Sequence, residues 1–451
     1  MRKLFRRYAE SFARGASNAV LFAPLVACGP SGAQDKEMPR PPQRPTPAQL
    51  REATHPGYTS PTGTRQECLG RLVFDAPRDM QWGVNAPGLH SGDRYRFTES
   101  MHGGHDDLWV SNVQVVVMAP AKRTDIERML RATAAEGRIG IREYETLIET
   151  DKRLVAEDQR RLNDSTSQLT ADDRLALQKD MEHWKQKIAD NESNVAGMKT
   201  DWHPLDLDMP DALGYAAGPD LYAFVLRDGR AYKFVSASGT GEPPFEERQR
   251  AFLDMLRRFK FRKMHEVPKE RGICVPYGFI PDDGGLGFRI EVSLRYADRP
   301  GVIYTVGTGV VGERGIDDSE PSGLKAIARA GGAGLSGALT GGRDVKRIGP
   351  RGAHIGALPA EQGGIFMNVA DAGKPPVNGY SVYTGYGGWG HSRVLPYITV
   401  DMRSFTKEQE PTLKTNPPPV EESLARLDEL LKSIRLRPTD LPMPELADVS
   451  K

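Results

Sequence analysis

The densest cluster of side chains suited to acid, base or metal chemistry is His102-Gly103-Gly104-His105-Asp106-Asp107. Imidazole and carboxylate groups so close together could ligate a metal. No second histidine pair and no cysteine set follows nearby to complete a shell, and Gly103-Gly104 favours a turn before the next strand. Gly334-Leu335-Ser336-Gly337-Ala338 approximates the elbow that presents a nucleophilic serine, but its last position is Ala and no clear buried strand precedes Ser336. The run from Gly331 to Gly342 lacks the Gly-Lys-Ser/Thr ending through which a phosphate loop holds a nucleotide, and reads as a long surface loop. Asp282-Asp283-Gly284-Gly285 lacks the spaced carboxylates and closing Glu of a calcium loop, and reads as a hairpin turn. None of these patterns converges on a catalytic site, a metal or a cofactor. The chain reads as a non-enzymatic protein that holds another macromolecule.

The cysteines give an address. Leu25-Val26-Ala27-Cys28 closes the apolar run Ala16 to Ala27 behind Arg2, Lys3, Arg6, Arg7 and Arg14, as the lipobox of a bacterial lipoprotein does. Residues 1–27 are then a signal peptide and Cys28 the lipidated first residue of a periplasmic, membrane-anchored protein. An ordinary signal peptide is the alternative, because Ser17, Asn18 and Pro24 dilute the apolar run. With Cys28 acylated, Cys68 and Cys274 remain as an even pair, and the oxidising periplasm predicts a disulfide between them. Such a bond closes a loop long enough to stabilise by roughly 4 to 5 kcal/mol in the chain-entropy picture. Two buried thiols remain the other reading of this pair.

Composition excludes other classes. Lys+Arg 61 against Asp+Glu 60 leaves a net charge of +1, no footprint for nucleic acid. Beyond Cys28 no apolar run approaches the roughly 20 residues of a membrane-spanning helix. Attachment to a membrane would rest on the lipid anchor alone.

Around these residues the chain organises itself by period. Residues 28–66 are punctuated by Pro30, Pro39, Pro41, Pro42, Pro45, Pro47, Pro56 and Pro61 and read as an extended tether. Strand-like runs follow at Leu69–Phe74, Tyr95–Phe97, Leu108–Val110 and Val113–Met118. From 122 to 198 the period becomes helical. Leu177, Met181, Trp184, Ile188, Asn191, Val195 and Met198 form one seam, and Tyr144, Leu147, Ile148, Leu154, Val155 and Leu162 a matching stripe, predicting an inserted antiparallel hairpin. Thr170 with Asp173 marks a capping box at the second helix. Strands resume at Leu221–Leu226 and Ala231–Val235 around an Asp228-Gly229 turn, before a helix bearing Phe252, Met255, Leu256 and Phe259.

The ending repeats. Tyr397–Val400 precedes a helix striped by Val420, Leu424, Leu427, Leu431 and Ile434, and Phe259-Lys260-Phe261-Arg262 aligns with Ile434-Arg435-Leu436-Arg437. We therefore expect an α+β protein of two tandem related domains, 67–270 and 271–445, each an antiparallel sheet with packed helices, the hairpin inserted in the first. A chance repetition of common elements is the competing account.

Glu67-Cys68-Leu69-Gly70-Arg71 with Phe74-Asp75-Ala76-Pro77, and Gly272-Ile273-Cys274 with Tyr277-Gly278-Phe279-Ile280-Pro281-Asp282-Asp283-Gly284, open the halves. They resemble the domain openings of immunity proteins that neutralise type VI secretion phospholipase effectors of the fourth lipase-effector class. The likeness covers most of residues 67–440 and implies two domains gripping a cognate phospholipase effector in the periplasm, as a stoichiometric inhibitor. It carries over no interface residues. Tyr380, Tyr383, Tyr386 and Trp389 are candidate anchors for the partner, unless alternate members of that run are sheet core. An envelope-maintenance lipoprotein that binds a cell-wall or secretion component is the runner-up function.

Overall fold

Thr46 and Gln49 exchange bonds, Thr46 N–H to Gln49 Oε1 at 2.8 Å and Gln49 N–H to Thr46 Oγ1 at 3.3 Å, and with Pro47 at the first helical position they start a helix, α1 (Pro47–Ala53). Leu50 and Ala53 of α1 are buried in the main core. The predicted tether thus ends earlier than residue 66. Its prolines masked a helix start, since Pro at the first position is a helix signal, not a break. The structure, a computed structural model, describes residues 45–439 apart from 55–58, 85–95, 99–107, 165–168, 199–202, 238–242, 311–344, 370–376, 390–391, 408–409 and 411–412. Cys28, the His102–Asp107 cluster and Ser336 lie outside the described residues.

The first half opens with the hairpin β1 (Thr64–Leu69) and β2 (Leu72–Pro77). Gly70 turns it at φ +58°, and a Cβ there would stand 2.6 Å from the Phe288 ring, so glycine is required on both counts. Then come β3 (Met80–Val84), β4 (Arg96–Thr98), β5 (Leu108–Val110) and β6 (Val113–Pro120). The helices α2 (Arg123–Asn163) and α3 (Ala171–Met198) follow. Next are β7 (His203–Leu205), β8 (Ala212–Ala217), β9 (Asp220–Arg227), β10 (Arg230–Ser236), α4 (Phe245–Arg258) and β11 (Lys260–Phe261).

The second half runs β12 (Gly272–Val275), β13 (Gly278–Pro281), β14 (Phe288–Tyr296), β15 (Val302–Gly309), β16 (Val345–Ile355), β17 (Leu358–Val369), β18 (Val377–Tyr386), β19 (Tyr397–Ser404), α5 (Val420–Ser433) and β20 (Arg435–Leu436). The fold is α+β, as expected. Helix α1 packs on β17.

One antiparallel sheet carries both halves. Outward from the middle its order is β5-β6-β10-β9-β8-β7 on one side and β14-β15-β19-β18-β17-β16 on the other, the same path traced twice. The sides join where Phe288 of β14 pairs with Val110 of β5, while Leu294 further along β14 pairs with Trp82 of β3. The closing strands are exchanged. β20 follows the second half's helix yet pairs with β2, and β11 follows the first half's helix yet pairs with β13. Helix α5 likewise packs on β2, and α4 on β13. A single core cluster draws Phe74, Val115 and Phe252 from one half and Val306, Val400 and Leu427 from the other.

The helical hairpin forms as its period predicts. Thr170 and Asp173 exchange bonds at 3.0 and 3.2 Å at the start of α3, and the Lys152–Glu192 and Lys187–Asp151 ion pairs, at 2.9 and 3.4 Å, fix the helices antiparallel. Its seam buries Ile148, Leu177, Met181 and Val195 together with two polar members, Asp151 and Asn191. Leu147, assigned to the stripe, is instead 45% exposed. The base of α2 sits on β8 and β9 through Ile126, against Tyr215, Phe224 and Ala231.

Candidate interaction site

The residues that carried the resemblance meet at the junction. Cys68 on β1 and Cys274 on β12 form a disulfide with Cα atoms 5.7 Å apart, across a sequence separation of 206 residues. Beside it the backbones pair, Gly70 N–H to Cys274 O at 2.7 Å and Cys274 N–H to Gly70 O at 2.9 Å. The two opening hairpins are therefore clasped covalently and by hydrogen bonds.

Around the sulfurs lie arginines that are almost wholly buried. Arg262, in the loop after β11, donates to the carbonyls of Cys68, Val275 and Gly278 and pairs with Glu67 Oε1 at 2.7 Å. His265 Nδ1 stands 3.1 Å from the other Glu67 oxygen, and the His265 N–H donates to that oxygen at 2.9 Å. Burial alone would raise the Glu67 pKa, but the Arg262 guanidinium and the His265 and Cys68 bonds outweigh it and hold the carboxyl below its ordinary 4.5. Arg71, in the β1–β2 turn, pairs with Asp282 at the end of β13, and the same carboxylate accepts from the N–H groups of Gly284 and Leu286. Asp282 thus closes the turn expected there, and its pKa is lowered by Arg71 and these N–H groups against the opposing effect of burial. Arg437, the residue after β20, reaches both sulfurs. These groups fasten the halves.

The sheet face opposite the core offers a different chemistry. Register sets Tyr397, Arg289, Trp109, Gln114, Val235, Tyr222 and Tyr215 in one row that crosses from the second half into the first, with Gly309 between Tyr397 and Arg289. Tyr397, Arg289 and Trp109 are half-buried, while Tyr222, stacked on Tyr215 at 4.6 Å, belongs to the small core covered by the base of α2. Tyr383 and Arg403 stand on the same face, both beside Asp401. Trp, Tyr and Arg are the side chains that carry most binding energy at protein interfaces.

The anchor candidates divide along this alternation. Tyr380 is 5% exposed with its hydroxyl 2.6 Å from Ser423 Oγ on α5, and Tyr386 is 3% exposed; both side chains point into the core. Burial drives both phenol pKa values upward. As placed, neither presents a surface to a partner. Tyr383 faces outward and Trp389 packs half-buried at the rim of the core. Of the candidate anchors Tyr383 shares this outer face with Trp109, Arg289 and Tyr397, whose placement follows from an alternation readable in the sequence. Among the described residues no group of His, Cys, Asp and Glu is placed to hold a metal ion. No described helix is long and apolar enough to cross a membrane.

Two clasped halves share one continuous antiparallel sheet in a fold of α+β class. Residues 266–439 match the family model of the Tle cognate immunity protein 4 C-terminal domain, which bears out for this part of the chain the resemblance carried by its opening motifs. No curated protein matches the chain. Among solved structures, the Tle4–Tli4 complex is similar with a TM-score of 0.49 and 16% identity over 84% of this chain and 100% of that one. The T6SS immunity protein TplEi of Pseudomonas aeruginosa is similar with a TM-score of 0.47 and 16% identity, again over 84% of this chain, as its complex with an "L" peptide over 100% of that chain and as its apo form over 98%.

Proposed function

We propose that the protein is an immunity protein that binds a cognate type VI secretion phospholipase effector in the periplasm and blocks its activity, so that the cell is spared its own toxin. The observation that carries this reading is the match of residues 266–439 to the immunity-protein domain. Lipidation at Cys28 would place the inhibitor beside the lipid its partner attacks and raise its local concentration there. Inhibition of a catalytic toxin requires slow dissociation, and the outer sheet face, with Trp109, Arg289, Tyr383 and Tyr397, supplies anchors of the needed kind.

Co-purification with a candidate type VI secretion phospholipase effector, followed by titration of phospholipase activity, tests the reading. The expected result is a stable complex and activity falling linearly to an equivalence point. Absence of both complex and protection overturns it. Acyl-lipid labelling of the wild-type chain against Cys28→Ser separates an anchored inhibitor from a soluble periplasmic one.

A further inference from the structure

Arg437 is unlike its buried neighbours. Arg71 and Arg262 are each neutralised by a carboxylate, Asp282 and Glu67. Arg437 is 5% exposed, and its Nη2 donates only to the backbone carbonyls of Pro268 and Glu270, while its guanidinium lies over the Phe279 ring at 5.2 Å. No described carboxylate accepts from it. Its Nη1 stands 2.7 Å from Cys274 Sγ and 3.2 Å from Cys68 Sγ. Burial, aided by repulsion from Arg262 and Arg71, pulls its pKa down to about 10, which still leaves it charged at neutral pH. A buried cation without a counter-ion is a costly arrangement, and a disulfide sulfur is a weak acceptor that carries no charge to offset it.

A thiolate in the same place would supply both the acceptor and the missing charge. We propose that Cys68 and Cys274 are a redox-active pair in which Cys274, once the disulfide is reduced, is held as a thiolate by Arg437. Both cysteines are fully buried, so the reductant, a small-molecule dithiol, reaches the bond when the junction opens locally. The dithiol gives two electrons to the Sγ–Sγ bond and becomes a disulfide itself. One of its protons ends on Cys68, and the other is released to solvent because Cys274 stays ionised. Arginine beside a cysteine lowers thiol pKa into or below the neutral range, and stabilising the reduced form makes a disulfide easier to reduce. The junction would then keep a Cys274–Arg437 ion pair where the covalent bond had been, so the clasp survives reduction in weakened form.

Proton release gives a signature that packing alone cannot produce. In the full chain carrying Cys28→Ser, equilibrated with reduced and oxidised dithiothreitol between about pH 6 and pH 8, the equilibrium constant for reduction should rise about tenfold per pH unit. The reduced protein should show ultraviolet thiolate absorbance at the acidic end of that range. Arg437→Gln should abolish the pH slope and lower the constant at neutral pH by at least about tenfold, and Arg437→Lys should restore the slope. A pH-independent constant in the Cys28→Ser chain overturns the proposal, as does an Arg437→Gln variant with an unchanged constant. Should Arg437→Gln fail to fold, the slope and absorbance of the Cys28→Ser chain decide alone.

Discussion

Glu67 is 1% exposed yet ionised, held so by Arg262, His265 and the Cys68 N–H. Removing its charge leaves Arg262 buried beside neutral groups, so Glu67→Gln should destabilise the protein by about 3 to 5 kcal/mol in urea unfolding near neutral pH. Its folded pKa lies below the ordinary 4.5, so the contribution is complete above that value and is lost as pH falls through the lower, folded one. The difference between wild type and Glu67→Gln should accordingly shrink as unfolding is repeated in increasing acid; a difference that stays constant would show the carboxylate is not the source. Tyr380 and Tyr383 test the alternation in the same way. Tyr380→Phe forfeits the bond to Ser423, worth about 1 kcal/mol of stability, and should leave effector binding intact. Tyr383→Ala should leave thermal stability nearly unchanged and weaken effector binding by about tenfold or more, read by titration calorimetry. At this scale the sequence was legible in identity more than in role. Glu67, Cys68, Gly70, Arg71, Cys274 and Asp282 all stood in the motifs; the Cys68–Cys274 pairing was expected from them, and the fold adds that Glu67, Arg71 and Asp282 help clasp the halves.

At the scale of elements, period decided what could be read. The hairpin was visible because its seam recurs over many turns, and the Asp228-Gly229 turn because both residues adopt positive φ, 47° and 71°, as a two-residue β-hairpin loop demands. Strands β16 and β17 escaped notice because Gly349, Gly352, Gly356, Gly363 and Gly364 interrupt any alternation; Gly364 packs so close to the Ser381 backbone that a Cβ would stand 2.4 Å from its carbonyl oxygen. Helix α1 was hidden in a proline-rich run. If α1 belongs to the body, Leu50→Ala should cost about 2 to 3 kcal/mol, whereas a tether residue would cost nothing measurable. The hairpin carries an opposite prediction. Asn191 is 8% exposed with no partner for its Nδ2 among the described residues, so Asn191→Leu should raise the thermal midpoint, by about 1 to 2 kcal/mol of stability, followed by far-ultraviolet circular dichroism. Its retention in the seam fits a residue that fixes helix register.

At the scale of the molecule, the tandem reading described two bodies joined in series, and the exchange of closing strands makes a stronger statement. Neither half completes its own small sheet: β2 waits for β20 from the far end of the chain, and β13 takes β11 from the half before it. Sequence showed the aligned endings Phe259–Arg262 and Ile434–Arg437 but not that each ending docks on the other half, because pairing between distant segments leaves no local trace. Unfolding one half therefore exposes the core of the other. The cost includes the junction pair β14–β5 and the shared cluster around Phe74 and Leu427. Equilibrium unfolding should in consequence be a single transition for the sheet, with the slowest-exchanging amides of β9 and of β19 reporting the same opening free energy in hydrogen exchange. Reduction of Cys68–Cys274 should lower that common value by up to about 5 kcal/mol without splitting the transition, since the exchanged strands hold the halves together independently of the bond. Two transitions, with β9 and β19 protected to different extents in the reduced protein, would mean that the disulfide alone couples the halves.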